Sequence, residues 1–304
     1  MSGRFSEETM TAAMRDIATT LGVSAEDAQL LQMTNNAVFA LPEAGIVIRI
    51  ARTHQLLDRV TKVVRLGNWF ADVNAPTTRL APYIEQPIQV RGLAASLWRY
   101  IPRHLPALKA EDLGMVLREF HTLGTPPFPL PLWDPIGDAR RRLADADGLN
   151  KSDYEFLVDW CNHLEPEIAS LSEREVQTLI HGDAHVGNLL REPSGRAIMC
   201  DFDATCVGPW QVDLAAVAVG ERRFGTTGTQ RALALSYDFD VTHDPNWGTL
   251  REARELKMIV AAVPILATSE DVANEFNRRI LSIREKDLKA PWKPFSALRL
   301  PHRN

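Results

Sequence analysis

Between residues 181 and 203 the chain reads HGDAHVGNLLREPSGRAIMCDFD, placing two histidines, three aspartates and one asparagine among glycines and apolar residues. Gly182 and Gly187 permit a tight polar loop, Leu189 and Leu190 open a short strand, REPSGR turns, and AIMCD returns as a second strand. Such a hairpin carries polar groups at its mouth, so Asp183, Asn188 and Asp201 are expected to converge on one side. Two carboxylates and an amide oxygen are hard oxygen donors of the kind that suits magnesium. A zinc pair built on His181 and His185 is disfavoured. Histidines four apart face together only on a helix, Gly182 opposes helix, and the glutamate of the H-E-x-x-H pattern is missing.

The elements that must position these groups follow from periodicity. Residues 6–21 predict a helix, capped by Ser6, with Glu7 and Glu8 at its positive end and Met10, Met14, Ile17 and Leu21 at helical spacing. MTNNAVFALPEAGIVIRIAR predicts two strands around the turn Pro42-Glu43-Ala44-Gly45, with Val47 and Arg49 on one face and Ile48 and Ile50 on the other. A helix over 54–72 follows, then strand-like pieces TTRLAPY, PIQV and AASLWRY. Beyond YIPR the pattern turns helical, most clearly over 110–124, 135–146, 151–170, 210–221 and 248–263. Residues 1–101 therefore form a small, sheet-rich lobe and 102–304 a large, mostly helical one, an α+β chain with a small antiparallel sheet first.

The order His181-Gly182-Asp183, four residues, Asn188, then Asp201-Phe202-Asp203 matches the spacing of the protein-kinase signature H-R-D-x4-N and D-F-G. The pattern H-G-D-x-H-x-x-N followed by D-[FW]-[DE] resembles the aminoglycoside phosphotransferase and choline kinase-like family, whose members share a bilobal protein-kinase-like fold. In organisation the resemblance runs from about residue 30 to 260, and its specific motifs lie between 181 and 215. It implies that Asp183 faces the acceptor hydroxyl, orienting it or taking its proton, and that Asn188 and Asp201 hold Mg2+ on the phosphates of ATP or GTP. It implies supporting roles for His181, His185 and Asp213, the last tying the catalytic loop to the helix behind it, while Asp203 orders the loop or meets the substrate. Phosphoryl transfer passes through a loose transition state, so positioning and charge neutralisation carry most of the catalysis.

The chain also departs from that pattern. Arg49 stands at the strand position that usually carries lysine, and the only acid between His54 and Ala71 is Asp58. Arginine can still grip phosphate oxygens, as a planar fork. The phosphate-covering loop lacks glycines and offers Asn35 and Asn36, which tolerate left-handed turns. Trp98 and Tyr100 are expected at the lobe junction, where backbone groups meet the nucleotide base. FGTTGTQ lacks a Walker lysine and predicts a helix-to-helix connection.

Only ATCVG separates Asp203 from Pro209, where a helix is expected to begin, and no A-P-E follows, so the acceptor is expected to be a small molecule rather than a protein. Region 134–176 holds eleven acids against five bases, and Glu252 and Glu255 add to them, so acceptor contacts from these two and a cationic acceptor are expected: an aminoglycoside-like antibiotic, or an amino alcohol or sugar. The alternative is a nucleotide-binding protein without turnover. A formal charge of −5 gives no grip on nucleic acid or anionic membrane. Three cysteines without a C-x-x-C, no signal-peptide core and no long apolar run predict a cytoplasmic protein, monomeric or homodimeric, with Cys200 a buried thiol. The tail from Lys289, with Trp292 and Phe295, is expected to pack on the helical part.

Overall fold

Ser6 opens the first helix, α1 (Glu7–Leu21). Its side chain accepts from the Thr9 N–H at 3.2 Å, and Gly22 closes the helix in the left-handed conformation at φ 68°. The computed structural model describes residues 5–33, 36–53, 56–102, 105–144 and 146–298. By backbone proximity the chain divides into two compact units: residues 1–108, 126–130 and 187–204 in the first, 109–125, 131–186 and 205–304 in the second.

In the first unit, β1 (Gln29–Met33), β2 (Asn36–Leu41) and β3 (Ile46–Ala51) are followed by α2 (Leu57–Asp72), β4 (Ile88–Val90) and β5 (Leu93–Arg99). The strands form one antiparallel sheet in the order β1-β2-β3-β5-β4. Alternation along β3 decides which helix lies on which face. Ile46, Ile48 and Ile50 bury against Met10, Met14 and Ile17 of α1 together with Phe39 and Leu41. Ala51 packs with Ala94 against Val60 and Val64 of α2, and Arg49 points to that same side.

The second unit takes up the chain with α3 (Ala110–Phe120), α4 (Pro135–Ala144), the long α5 (Lys151–Arg174) and β6 (Gln177–Ile180). A hairpin of β7 (Leu189–Arg191) and β8 (Ala197–Met199) belongs to the first unit, and the second resumes with β9 (Cys206–Pro209), α6 (Gln211–Phe224), α7 (Thr229–Tyr237), α8 (Trp247–Val260) and α9 (Glu270–Arg284). β6 and β9 pair antiparallel. Leu157, Leu164, Val219, Leu256, Ile259 and Phe276 belong to one core shared by the helices. Trp292 of the tail joins that core, with Arg223 over its ring at 4.4 Å, as the aromatic tail residues led us to expect. Among the described residues no helix is long and apolar enough to cross a membrane.

Three local expectations are corrected. TTRLAPY forms only isolated bridges, Thr77 to Met199 and Leu80 to Trp98, and the Arg79 side chain folds back onto the Thr77 and Ala75 carbonyls. No helix starts at Pro209, since Cys206–Pro209 pairs with β6 as a strand and the helix waits until Gln211. A further strand, β1, precedes the two that the alternation predicted. Four of its five residues are exposed, so it carries little apolar signal.

Candidate active site

In the first unit the residues of Asp201-Phe202-Asp203 are sorted by their chemistry. Phe202 is fully buried, its ring 4.8 Å from that of Phe70 on α2 and 5.8 Å from that of Trp98 on β5. With the ring anchored, the two flanking carboxylates reach the same guanidinium. Arg49 Nη2 lies 2.7 Å from Asp201 Oδ1 and 3.0 Å from Asp203 Oδ2. Burial works against the Arg49 charge, but Asp203 and Asp201 outweigh it and hold its pKa above the ordinary value. Asn36 Nδ2 donates to Asp203 Oδ2 at 3.0 Å, and Lys62 of α2 donates to the Asp203 carbonyl at 2.7 Å.

Asp203 is thus held from three elements, β2, β3 and α2. Asp201 keeps a more exposed carboxylate on a backbone at φ 66°, a conformation that costs a non-glycine residue energy and persists only where surroundings enforce it. Cys200 is pushed up to about 12, by burial and then by the Asp201 charge, and its backbone N–H and thiol both meet the Asn188 carbonyl. Those contacts fix Asn188, itself largely buried at the start of β7, to the strand end that leads into Asp201.

In the second unit the loop after β6 hangs on a buried carboxylate. Asp213, in the first turn of α6, accepts from the His181 N–H at 2.7 Å, the Gly182 N–H at 2.8 Å and His121 Nε2 at 3.0 Å. His121 Nδ1 in turn meets the Tyr237 hydroxyl at 2.8 Å. Burial opposes the Asp213 charge, but His121 and the His181 contacts prevail and keep its pKa below the usual carboxylate value. Gly182 turns at φ 77°, and the Asp183 N–H donates to His181 Nδ1 at 3.3 Å. The loop is therefore not helical, which removes the geometry that a His181–His185 zinc pair would need.

Asp183 itself is answered from α8. Arg254 Nη1 donates to its Oδ1 at 2.8 Å, and Lys257 Nζ lies 3.4 Å from the same oxygen while donating to the Gly182 carbonyl at 2.7 Å. Burial would raise this carboxyl's pKa, but Lys257 and Arg254 outweigh it and drive it far below the carboxylate range. Burial, reinforced by Arg254, pushes the Lys257 ammonium down in spite of Asp183.

The remaining expected site residues have the following surroundings. Asn35 lies outside the described residues. Trp98 is buried and donates its indole N–H to Ser96, and the Tyr100 backbone N–H donates to the Gly45 carbonyl. Glu255 is 1 % exposed, its Oε1 2.6 Å from Arg223 Nη2. Glu252 accepts from the Trp160 indole and from Arg251. Both acids that were expected to draw a cation are thus engaged within the helical core or at its edge. His121, Tyr237, Lys62, Arg254 and Lys257 were not singled out in the sequence. The only available signal was the three-residue spacing of Arg254 and Lys257, which puts two bases on one face of α8.

The model of the phosphotransferase enzyme family, APH, matches residues 31–253. The chain belongs to that family. As a member it is a phosphotransferase, with a protein-kinase-like α+β fold. Among solved structures it is similar to an amicoumacin kinase in complex with AMP-PNP, Ca2+ and Ami, at 13% identity and TM-score 0.69, over 96% of this chain and 100% of that one. It is similar to an aminoglycoside 2'-phosphotransferase in complex with GDP, at 16% identity and TM-score 0.63, over 91% and 99% of the two chains. A choline kinase from Streptococcus pneumoniae gives 15% identity and TM-score 0.62, again over 91% and 99%. No curated protein matches the chain in sequence.

Proposed function

We propose that this phosphotransferase moves a phosphoryl group from ATP or GTP, with magnesium, to a hydroxyl of a small molecule. The observation that carries the proposal is the family match over residues 31–253, which spans both the Arg49 cluster and the Asp183 loop. In this proposal Asp183 orients the acceptor hydroxyl and takes its proton, while Arg49 and Asn36 steady the phosphates. Asp213 fixes the loop through two backbone N–H groups, and Asp203 secures the segment that presents Asp201.

Asn188 and Asp201 would hold the magnesium. One carboxylate and one amide oxygen suit this ion, which usually keeps several waters and takes only one or two carboxylates besides substrate phosphates. When bound, the ion neutralises charge on the transferring phosphates. Everything else is left to the chain: Phe202 holds the carboxylates apart from the core, and Arg49 supplies fixed positive charge beside them. The small acceptor, expected from the short link between Asp203 and β9, has no long peptide-docking segment to meet.

The test is nucleotide-dependent stabilisation in a thermal-shift assay, with and without Mg2+. ATP or GTP should raise the melting temperature of the wild type more in magnesium than in EDTA, and Asp201→Ala should erase that difference. Equal stabilisation with and without the metal would overturn the assignment of Asp201, and a lack of nucleotide binding would overturn the proposal.

A further inference from the structure

The two acids of α8 that suggested a cationic acceptor are occupied, and the face of the same helix that meets Asp183 is basic. Arg251 reaches Glu252 at 3.0 Å and Glu255 at 3.7 Å, and Arg223 closes on Glu255 from α6. Among the described residues Arg254 and Lys257 have one acidic side chain between them within ion-pair distance, Asp183. Asp138 also faces Lys257, but it is held by Arg142 at 3.0 Å and approached by Arg141 at 3.9 Å. His185 adds to the positive side when protonated. Two bases therefore face one carboxylate at Asp183, with Arg254 charged throughout and Lys257 lowered by burial.

Arg254 supplies a second, independent observation. A guanidinium has five N–H donors, yet its one hydrogen bond among the described residues goes through Nη1 to Asp183. Its Nε is buried and meets no acceptor among the described residues. Buried donors without partners are rare and call for an explanation, with a catalytic role and a bound water or ion among the usual ones. Arginine with an uncommitted donor edge is suited to a carboxylate or a phosphate, which it can bind with two parallel bonds.

We infer that the acceptor carries an anionic oxyacid group, a carboxylate or a phosphate ester, close to the hydroxyl that is phosphorylated, and that Arg254 and Lys257 bind it. This rests on the proposed transfer at Asp183 and specifies its acceptor. The acceptor's anion competes with Asp183 for the two cations. Its arrival draws them toward itself and leaves the aspartate a better hydrogen-bond acceptor for the incoming hydroxyl. Without that anion the aspartate stays locked in its ion pairs, a poor base, so phosphoryl loss to water is suppressed while the acceptor is absent. A cationic acceptor would face two like charges at the same place.

The test uses the full chain with Mg2+ and ATP or GTP, and three matched sets of alcohols. The anionic set is glycerate, gluconate and glucose 6-phosphate; the neutral set is glycerol and glucose; the cationic set is ethanolamine, glucosamine and kanamycin. Transfer is followed with labelled nucleotide, and binding to the AMP-PNP–Mg2+ complex by calorimetry. Members of the anionic set should bind or react in preference to their neutral and cationic partners. Arg254→Gln should then weaken the anionic acceptor by about 30-fold in KM or Kd, the order expected when one partner of a charge pair is removed. Arg254→Lys should restore part of that loss, and Arg254→Gln should weaken binding of neutral alcohols to the AMP-PNP–Mg2+ complex far less than binding of the anionic ones.

Preference for a neutral or cationic member, no binding or transfer with any anionic member, or anionic affinity unchanged in both Arg254→Gln and Lys257→Gln would overturn the inference. The wild-type comparison stands even where a variant fails to fold. Magnesium-nucleotide stabilisation separates the two levels. If it is lost in the wild type the broader proposal fails, and if it persists alongside a cationic preference only the acceptor's charge is wrong.

Discussion

Replacing Asp213 by alanine would strip three donors of their shared acceptor at once. The His181 and Gly182 N–H groups and His121 Nε2 reach the carboxylate at 2.7, 2.8 and 3.0 Å, and neither Asp213 nor His181 is exposed. A buried donor left without a partner costs about 1–3 kcal/mol. Even at the low end of that range the three together give about 3 kcal/mol, roughly a 100-fold shift toward unfolding. Chemical denaturation followed by circular dichroism should show this loss in the second unit, and hydrogen exchange should show the His181 and Gly182 amides losing protection before the helices do.

The loss should also depend on pH. The folded pKa of Asp213 lies below its unfolded value, so its contribution is present above the ordinary carboxylate pKa and fades as pH falls through the folded one. The gap between wild type and variant should therefore narrow in acid. A stability within about 0.5 kcal/mol of wild type, the usual range for a site without such contacts, together with unchanged exchange at residues 181 and 182, would refute the clamp.

Phe202→Ala removes a fully buried ring wedged against Phe70 and Trp98 and should cost the first unit about 3–5 kcal/mol, read as an earlier denaturation midpoint. Glu255→Gln leaves Arg223 buried beside a neutral amide and should destabilise by about 3–5 kcal/mol, while acceptor KM stays within about twofold of wild type in whatever protein remains folded. A selective rise in acceptor KM would return Glu255 to the acceptor site. Because Lys257 and Arg254 hold Asp183 far below the carboxylate range, kcat/KM should show no acid limb from this group near its ordinary pKa of about 4. Arg254→Gln should move such a limb up toward that value.

The parts of the fold written in short-range pattern were legible before the structure. The Ser6 cap, the alternation that sends Arg49 and the β3 isoleucines to opposite faces, and the hairpin that follows Asn188 all recur in the structure because each is decided by neighbours a few residues away. β1 was missed because an exposed edge strand needs no apolar alternation. β9 was missed because Pro209 looked like a helix start, while its pairing partner lies in β6, far back in the chain.

At the candidate site, local motifs named the groups but not their partners. The sequence offered Asp58 as the only acid near Arg49, whereas the carboxylates that answer Arg49 come from Asp201 and Asp203, some 150 residues on. Glu252 and Glu255 were counted by sign, and charge counts do not record which way a helix face turns. The structure turns Glu255 toward Arg223 and gives Asp183 the bases instead. His121 carries no motif at all, and only the fold of α3 brings it to Asp213.

The central claim is that Asp183 serves the acceptor hydroxyl while other residues hold the nucleotide. Asp183→Asn measures this most directly, with phosphoryl transfer to the acceptor identified from the matched panel and magnesium-nucleotide affinity determined on the same preparation. Turnover should fall by at least about 100-fold, the lower end of what a positioned general base contributes, with nucleotide Kd within about threefold of wild type. Turnover at the wild-type rate would contradict the claim.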